Sequence, residues 1–503
     1  MIINAFQYHE KTSYDRYKMS GHSLNWEDQP TVFKTYPGIT PNELPKEVHF
    51  PEIQLSSLLR QEDPESVTSR TLSKTDLSRT LLLTYSLTAK ARHPGGDFYY
   101  RSAASAGALY PTEIYLGSRG VDGVADGLYH FSIAHHGLAL LRKGDFSDVV
   151  SDATQMPRSA TPALTFFFSA IFFRSAWKYR DRAYRYHLLD TGHVIEHLFL
   201  ALKSSGLPLN LSYDFDDEKI NHLLGLDTSK EVCLAIGQIR QASPLPEVKP
   251  KDIPTLPAHI KAAGRVSRNE VDYPAIREIH SAGIETASAK APVVEMTQEI
   301  GVSPRKWMRI EPPDAWPRAK NFDETVFRRR SRRNFVGHTL PENCIQALLE
   351  SLCIGDSKSA SADAGYQSFL CPGFLTNRVE GFEPGFYLLD PASAAYGFID
   401  RGIPVEKMAH ICLDQMWLSN AGVHFLFMAN LQRLDQTWGA RGYRYAMMRA
   451  GRLGERVYLA AEALGLGACG IGALYDHEAA EALGLNHESR LLYLVAVGTV
   501  KGK

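Results

Sequence analysis

Short apolar runs alternate along this chain with longer stretches whose apolar residues recur at helical spacing. The longest run, residues 163–173, is about half the length that crosses a bilayer, so it predicts a buried strand. Further strands are predicted at 112–116, 232–236, 423–429 and 491–497. Helices are predicted at 74–87, 191–205, 341–353 and 450–464, and the second and fourth end at a Gly-Leu pair typical of a left-handed C-cap. Helices and strands mixed in this order predict an α+β sandwich.

This pattern occurs twice in the chain. Residues 165–226 align without a gap on 424–485, and 18 of the 62 aligned positions are identical. The identical positions include Arg174/Arg433, Tyr184-Arg185-Tyr186/Tyr443-Arg444-Tyr445, Gly192/Gly451, Gly206-Leu207/Gly465-Leu466 and Leu224-Gly225-Leu226/Leu483-Gly484-Leu485. A repeat of this length is a domain that buries its own core. The sequence therefore predicts a tandem duplication whose two domains pack as the subunits of a homodimer would, an intramolecular pseudo-dimer with a site between them.

The predicted domain limits follow from the repeat and from one proline-rich stretch. Residues 1–50, rich in Tyr, His, Trp and Pro, are interpreted as an N-terminal arm, and 51–241 and 311–503 as the two domains. Prolines at positions 244, 246, 250, 254 and 257 break any helix and stiffen the chain, so 242–310 is predicted to be a linker.

Charge and composition argue against several classes of protein. The net charge is -1 and the pI is about 7.0, which gives no sign of a nucleic-acid or membrane-surface protein. The six cysteines include no CxxC pair, which favours reduced thiols over a disulfide frame or a zinc site. The first ten residues lack a basic segment followed by an apolar one, so no signal peptide is recognised and a cytoplasmic location is predicted.

A cluster of five arginines precedes the predicted helix at 341–353. Residues 328–333 read Arg-Arg-Arg-Ser-Arg-Arg, and their like charges repel one another unless an anion lies among them. A solvated basic patch explains this composition equally well. The other copy, however, has Gln61-Glu62-Asp63-Pro64-Glu65 opposite 329–333, so only the second copy could hold a phosphate.

A run of small residues, 105–111, precedes the predicted strand at 112–116 and reads Ser-Ala-Gly-Ala-Leu-Tyr-Pro. Small residues let a planar ligand approach the backbone, and consecutive N–H groups can donate to its polar edge. The corresponding place in the second copy, residues 364–368, reads Ala-Gly-Tyr-Gln-Ser, so the pattern is not kept there.

Together these motifs resemble the FMN-dependent nitroreductase superfamily and, within it, the SagB/ThcOx-type dehydrogenases. The resemblance implies that the FMN phosphate is held by Arg329, Arg330, Ser331 and Arg333. It implies that the flavin is touched from the opposite domain by Ser105, Ala106, Gly107, Ala108, Leu109 and Tyr110, with Ala104 where the family usually has proline. It also implies that the isoalloxazine ring lies near Gly470, Ile471 and Gly472, and the phosphate near Lys501 or Lys503.

Trp177-Lys178-Tyr179 is similar to the L-K-Y motif that azoline oxidases of this family use in catalysis, so Lys178 and Tyr179 are the candidate catalytic residues. The second copy has Thr437-Trp438 opposite them. The first domain thus keeps the flavin-facing loop and the Lys-Tyr pair, whereas the second keeps the phosphate clamp. This complementary loss predicts one composite FMN site per chain.

His193-Val-Ile-Glu-His197 matches the H-x-x-E-H pattern of some zinc peptidases, which places two imidazoles and a carboxylate on one face of a helix. A five-residue pattern arises easily by chance, and the second copy has Arg452 and Arg456 at the histidine positions. The histidines are therefore interpreted as interface or core groups and no metal ligand is predicted, with a zinc peptidase as a remote alternative.

The predicted function is an FMN-dependent oxidoreductase that dehydrogenates an azoline-like ring, or a related C–N or C–S heterocycle, on a small molecule or a peptide. Lys178 or Tyr179 would take the proton from carbon, which requires a lysine pKa lowered by about three units or a tyrosinate relay. The alternatives are an NAD(P)H-dependent reductase of nitro compounds or quinones and a flavin-binding partner subunit without turnover. No nucleic-acid or membrane partner is expected, and the chain is expected to be a monomeric pseudo-dimer or a homodimer.

Overall fold

The computed structural model describes residues 1–502 apart from 20, 22, 94–95, 156–159, 242–252, 285–294, 319, 355–368 and 402–403. Its first half contains strands β1 (Asn42–Glu43), β2 (Leu87–His93), β3 (Gly96–Arg101), β4 (Thr112–Ser118), β5 (Gly127–Ser132), β6 (Gly137–Lys143), β7 (Thr161–Ile171), β8 (Asn210–Ser212) and β9 (Glu231–Gln241). Its helices are α1 (Ala5–Lys11), α2 (Leu55–Arg60), α3 (Lys74–Tyr85), α4 (Ser147–Ala153), α5 (Phe172–Tyr179), α6 (Ala183–Ser204) and α7 (Asp217–Leu224).

The second half repeats this series. Its strands are β10 (Met308–Arg309), β11 (Cys371–Thr376), β12 (Gly385–Asp390), β13 (Ala395–Asp400), β14 (Val423–Asn430), β15 (Gly467–Ile471) and β16 (Ser489–Gly498). Its helices are α8 (Ala258–Ala262), α9 (Pro274–Ala282), α10 (Phe322–Arg328), α11 (Glu342–Cys353), α12 (Val405–Ile411), α13 (Leu431–Trp438), α14 (Arg441–Ala463) and α15 (Asp476–Ala482).

Two seven-stranded antiparallel sheets have the same order, β1-β6-β5-β4-β7-β9-β8 and β10-β13-β12-β11-β14-β16-β15. Each strand of the first sheet has its counterpart at the same place in the second. Strands β2 and β3 form a separate hairpin. The predicted α+β fold and tandem duplication are confirmed. Within the part of the chain described, none of the helices is both long enough and apolar enough to cross a membrane.

Helices α6 and α14 lie between the sheets and cross at two glycines that the repeat has in common. A Cβ on Gly192 would lie 2.2 Å from the carbonyl oxygen of Met448, and one on Gly451 would lie 2.2 Å from that of Leu189. The two backbones therefore touch, and any side chain at either glycine would push the halves apart. This reciprocal contact is the one a two-fold dimer would make.

The two long helices begin earlier than the sequence predicts, at Ala183 and Arg441 instead of 191 and 450. Their first turns carry arginines, which suggest an exposed segment, yet Arg185 and Arg444 are 1% exposed. Each pairs with a buried aspartate of the opposite half, Arg185 with Asp476 (2.6 Å) and Arg444 with Asp217 (2.9 Å). Hydrophobic periodicity misses a helix that is buried on every side.

Other predicted bounds differ by a few residues. The strand predicted at 163–173 ends at Ile171, because Phe172 already begins α5. The helix predicted at 74–87 ends at Tyr85, and Leu87 begins β2. The predicted left-handed C-caps are present, with φ of 67° at Gly206 and 75° at Gly465.

The segments that precede the two sheets cross over to the opposite half. Helix α1 packs on the second half, where Asp435 accepts hydrogen bonds from its first backbone N–H groups and His9 lies 3.1 Å from Asp476. Helix α9 packs on the first half, where His280 Nδ1 lies 3.2 Å from the hydroxyl of Tyr184. Helices α8 and α9 occupy part of the stretch predicted as a linker, and the predicted domain limits stay predictions.

Candidate active site

One cleft at the junction of the halves is lined by both sets of sequence motifs. Its walls are the loop before β4, helix α6, the segment after α10, and strand β15 with its neighbours. The lining residues are Ala104, Ser105, Ala106, Gly107, Tyr186, Leu189, Asp190, His193, Ser331, Arg333, Tyr458, Cys469, Gly470, Gly472 and Tyr493. The structure thus brings together motifs that are more than 200 residues apart in sequence.

Asp190 of α6 holds the loop before β4 through two hydrogen bonds. Ser105 Oγ donates to its carboxylate at 2.5 Å, and the backbone N–H of Ala106 donates at 3.1 Å. Burial raises the pKa of Asp190 to about 6, although these two hydrogen bonds favour the ionised form. Ser105 Oγ also accepts from the backbone N–H of Tyr110 at 2.9 Å, which closes the loop on itself.

The loop backbone is left-handed at three positions, Gly107 (φ 65°), Ala108 (φ 54°) and Tyr110 (φ 50°). The two residues with a Cβ each lose roughly 1 kcal/mol in this conformation, so neighbours must hold them. Arg174 of α5 donates to the carbonyl of Tyr110 at 2.9 Å and contributes to that support. Ala108, Leu109 and Tyr110 do not line the cleft, whereas Ser105, Ala106 and Gly107 do.

Lys178 and Tyr179 lie against the same loop, at the C-terminal end of α5. A Cβ on Gly107 would lie 2.9 Å from the hydroxyl of Tyr179 and 3.5 Å from Nζ of Lys178. Burial lowers the pKa of Lys178, and the nearby guanidinium of Arg333 lowers it further. Burial, with Tyr186 and Asp190, raises the pKa of Tyr179 well above its usual range. This environment shifts the lysine toward its neutral form and keeps the proton on the phenol, which argues against the tyrosinate relay.

Substituting Gly107 with alanine should therefore disturb this pair, and Gly120 provides the matched control. Gly120 has φ of 64°, close to the 65° of Gly107, but a Cβ there would meet no atom within 4 Å. We expect both alanine variants to lose about 1 kcal/mol of unfolding free energy, measured by denaturant titration. Only Gly107→Ala should also lower turnover, because only it displaces Tyr179. Equal turnover in the two variants would show that the contact between Gly107 and Tyr179 does not affect turnover.

Arg329, the first residue of the predicted phosphate clamp, ties the second half to the base of the loop. It is 4% exposed and donates to the carbonyls of Ser102 (2.6 Å) and Arg101 (3.0 Å). Its Nη1 is buried without a hydrogen-bond partner among the described residues. One donor of the guanidinium is therefore left for a further acceptor.

The other side chains of the clamp point in different directions. Arg330 donates to the carbonyls of Phe327 and Arg329, lies over the ring of Tyr100 at 5.2 Å and does not line the cleft. Ser331 Oγ lies 3.0 Å from the hydroxyl of Tyr458, and Arg333 is exposed at the cleft. The exposed Arg333 is the cation of this run best placed to meet a phosphate.

The C-terminal segment runs beside the clamp. The backbone N–H of Lys501 donates to the carbonyl of Asn334 at 3.3 Å, and its side chain is exposed. On the other side the backbone N–H of Arg332 donates to the carbonyl of Ala468 at 2.8 Å, which places the clamp along β15. Lys501 therefore lies opposite Asn334, the residue after Arg333, and Lys503 lies outside the described residues.

Strand β15 and the residue after it line the cleft with two glycines, and tyrosines pack on both of them. The N–H of Gly470 donates to the hydroxyl of Tyr458 at 2.5 Å, and a Cβ on Gly470 would lie 1.8 Å from the hydroxyl of Tyr493. A Cβ on Gly472 would lie 2.6 Å from the ring of Tyr186. Ile471, between them, points into the core and is 6% exposed. The exposed guanidinium of Arg333 beside glycine backbone and tyrosine rings fits a phosphate attached to a flat ring, so the residues present fit FMN.

The equivalent place in the other half carries larger side chains on its strand. Leu211 and Tyr213 stand opposite Gly470 and Gly472 in the repeat. The ring centroids of Phe369 and Trp438 are 4.1 Å apart, and Tyr445 lies 5.1 Å from Phe369 and 6.0 Å from Tyr213. Trp438 and Tyr445 have aromatic counterparts at the cleft, Tyr179 and Tyr186, whose ring centroids are 4.3 Å apart. The replacement of the two glycines is therefore what distinguishes this half. The altered loop at 364–368 lies outside the described residues.

The H-x-x-E-H motif gives no support to the zinc alternative. His193 and His197 both contact Glu455, and Glu196 forms ion pairs with Arg452 (3.0 Å) and Arg456 (2.6 Å). All three side chains face α14 and already have protein partners. Across the residues that the structure describes, no group of three or more His, Cys, Asp or Glu side chains could hold a metal ion.

Several residues at the cleft were not predicted as site residues, namely Tyr186, Asp190, Tyr458, Cys469, Tyr493 and His193, the last of which was interpreted as an interface or core group. A signal was present in the repeat for two of them, because Asp190 and His193 stand opposite Arg449 and Arg452. Positions at which duplicated domains differ in charge mark the place where their functions diverged. Tyr458 and Tyr493 stand opposite Phe199 and Leu234, a smaller difference that becomes visible only in the folded chain.

Comparisons with known proteins agree with this geometry. The profile of the nitroreductase family matches residues 67–238 and 383–499, which together make up more than half of the chain. A crystal structure of a nitroreductase-type protein from Anabaena variabilis superposes with a TM-score of 0.76 and 26% identity, over 99% of this chain and 100% of that one.

Two curated relatives match shorter stretches. A nitroreductase-type protein of Methanocaldococcus jannaschii is 35% identical over 115 residues, which are 23% of this chain and 58% of that protein. The trifolitoxin-processing protein TfxB of Rhizobium leguminosarum bv. trifolii is 30% identical over 159 residues, 29% of this chain and 42% of that protein. The matches thus span about half the length of these relatives. The duplicated fold, the composite cleft and the family profile agree, and the chain belongs to the nitroreductase family.

Proposed function

We propose that this chain is an FMN-dependent oxidoreductase that dehydrogenates an azoline-like ring or a related C–N or C–S heterocycle. The observation that carries the proposal is the meeting of three motifs at one cleft, although they come from different halves. Ser105–Gly107 of the first half and Arg333 of the second line the cleft, and the Lys178-Tyr179 pair of the first half packs against Gly107.

In this proposal the chain's own residues hold FMN from both sides. Arg333, Nη1 of Arg329 and the side chain of Lys501 bind the phosphate through charge-assisted hydrogen bonds. The backbone of 105–107 and of 470–472, with the tyrosines that pack on its glycines, lies against the ring. Bound FMN supplies a hydride acceptor.

Lys178 is proposed to take the proton from the substrate carbon as the hydride leaves. Its pKa is lowered by burial and by Arg333, so a larger share of the amine is neutral at physiological pH than in water. The hydroxyl of Tyr179, whose pKa is raised, keeps its proton and orients the substrate as a donor. The proton would pass from carbon to Nζ, the electron pair of that C–H bond would form the new ring double bond, and the hydrogen on the neighbouring ring atom would leave as a hydride with its own electron pair.

A peptide is the substrate class that the relatives favour, since TfxB is described as a trifolitoxin-processing protein. The M. jannaschii relative, described as a nitroreductase, favours the second candidate, reduction of nitro compounds or quinones by NAD(P)H. Anaerobic mixing of the FMN-loaded protein with a thiazoline-containing peptide, or with NAD(P)H, separates the two. Bleaching of the flavin by the peptide supports the dehydrogenase, and bleaching by NAD(P)H alone supports the reductase.

We predict about one FMN per chain. The cleft is lined by Gly470, Gly472 and the exposed Arg333, whereas the counterparts of the glycines are Leu211 and Tyr213 and that of the arginine is Glu65. The flavin released by denaturation and quantified against protein concentration should give a ratio near one. A ratio near two would contradict the composite site, and a colourless protein that takes up no added FMN would contradict the proposed function.

A further inference from the structure

The buried carboxylate of Glu455 connects the segments that make up the cleft. It accepts hydrogen bonds from His193, from Nε2 of His197 (2.9 Å) and from the backbone N–H of Ala104 (3.3 Å) in the loop. Arg329 Nε lies 3.4 Å from the same carboxylate. Glu455 is fully buried. The loop of the first half and the clamp of the second therefore meet at one side chain.

The repeat provides a second copy of this arrangement beside the counterpart of the cleft in the other half. We call that counterpart the closed side and the cleft itself the open side. Glu196 is the counterpart of Glu455 and is equally buried. It accepts hydrogen bonds from Arg452 Nε (3.0 Å) and Arg456 Nε (2.7 Å), the counterparts of the two histidines. Both glutamates thus face two basic side chains of the opposite helix. Those side chains are permanently charged on the closed side and can lose a proton on the open side.

His197 has a hydrogen-bond acceptor at each ring nitrogen. Nδ1 lies 3.0 Å from the carbonyl oxygen of Leu83, and Nε2 lies 2.9 Å from the carboxylate of Glu455. Burial alone would raise the pKa of Glu455, but His193, His197 and Arg329 hold it well below its usual range. The carboxylate is therefore ionised and only accepts. His197 therefore links the backbone of α3 to Glu455.

The closed side shows the same pair of contacts. Arg456 donates to the carbonyl of Ser351 (3.5 Å), the counterpart of Leu83, and to Glu196. One position in the repeat therefore links a backbone carbonyl to a buried glutamate in both halves.

We propose that Glu455 is a positioning residue of the flavin site, which holds Ala104 of the loop and Arg329 of the clamp in place. This inference rests on the proposed FMN site. His193 and His197 contact the same carboxylate and fix its direction.

The first experiment compares Glu455→Gln with Glu196→Gln. Each replaces one fully buried carboxylate by an amide of the same shape, so both should lower the melting temperature of the flavin-free protein to a similar degree. The dissociation constant of FMN, followed by flavin fluorescence, should rise about tenfold or more in Glu455→Gln and less than about threefold in Glu196→Gln. Equal changes in the two variants would overturn the positioning role.

The second experiment follows hydrogen exchange of the Ala104 amide, whose N–H donates to Glu455, in the flavin-free protein. Exchange should become about tenfold faster or more in Glu455→Gln and less than about threefold faster in Glu196→Gln. Equal exchange in the two variants would show that Glu455 does not hold the loop.

This exchange comparison keeps the inference separable from the proposed function, because it needs no flavin. If no variant binds FMN, the proposed function fails, and exchange of the Ala104 amide still decides whether Glu455 holds the loop.

Discussion

Replacing Lys178 with alanine should lower the rate of flavin reduction by substrate about 10²- to 10⁴-fold, the usual contribution of a general base. Nζ lies within reach of Gly107 in the cleft, and burial together with Arg333 lowers its pKa. Bound FMN and the melting temperature should stay close to wild type, because the counterpart positions Thr437-Trp438 fold without a lysine. Stopped-flow absorbance of the flavin under anaerobic conditions measures the rate.

Two further variants assign the roles within the pair. Lys178→Arg keeps the positive charge but cannot act as a base, so it should be as slow as Lys178→Ala if the lysine takes the proton. Near wild-type rates in Lys178→Arg would instead make it an orienting cation. Tyr179→Phe should also reduce the rate about 10²- to 10⁴-fold while retaining flavin. Unchanged reduction by NAD(P)H in all three variants would favour the reductase.

Replacing Arg333 with alanine should weaken FMN binding by about 1.5 to 3 kcal/mol, or about 10- to 150-fold. Arg333 is the exposed arginine of the clamp at the cleft, so its loss removes a charge-assisted hydrogen bond without disturbing the core. Arg328 is the matched control, because it belongs to the same run but pairs with Glu324 at 2.7 Å on α10. Arg328→Ala should leave the dissociation constant of FMN, measured by fluorescence titration, within about twofold.

Arg329→Ala should behave differently from Arg333→Ala, although the sequence places the two in one motif. Arg329 is buried against the carbonyls of Arg101 and Ser102 and faces Glu455. Its removal should lower the free energy of unfolding by about 3 kcal/mol or more in addition to weakening FMN binding. Unchanged FMN affinity in both variants would mean that the arginine run is a surface patch.

Much of the fold followed from the sequence because duplication makes a pattern visible twice. Strands β7 and β14 were predictable from apolar runs, and the C-caps at Gly206 and Gly465 were predictable from the glycines. The first turns of α6 and α14 were not, since their buried arginines are neutralised by aspartates from the opposite half. An ion-pair partner that is so distant in the sequence leaves no recognisable pattern near the arginine itself.

The candidate site was likewise predictable in part and not in full. The loop at 105–107 and Arg333 were predictable, because small residues and clustered like charges are unusual enough to require a reason. Their orientation was not, and Arg330 turns out to lie over Tyr100 outside the cleft. The tyrosines of β16 and α14 also escaped notice, since a tyrosine in a core and one lining a cleft look alike until the neighbouring glycines are located. The roles of these residues stay predictions until flavin binding is measured.

The reciprocal aspartate contacts have a consequence for biosynthesis. Asp217 of the first half is buried against Arg441 and Arg444, and Asp476 of the second against Arg182 and Arg185. While the ribosome makes the second half, roughly 12 to 50 s at usual elongation rates, the first half holds a carboxylate and two guanidiniums that lack their counter-ions. We expect the nascent first half to stay loosely packed during this interval and to be a target for chaperones until α14 emerges.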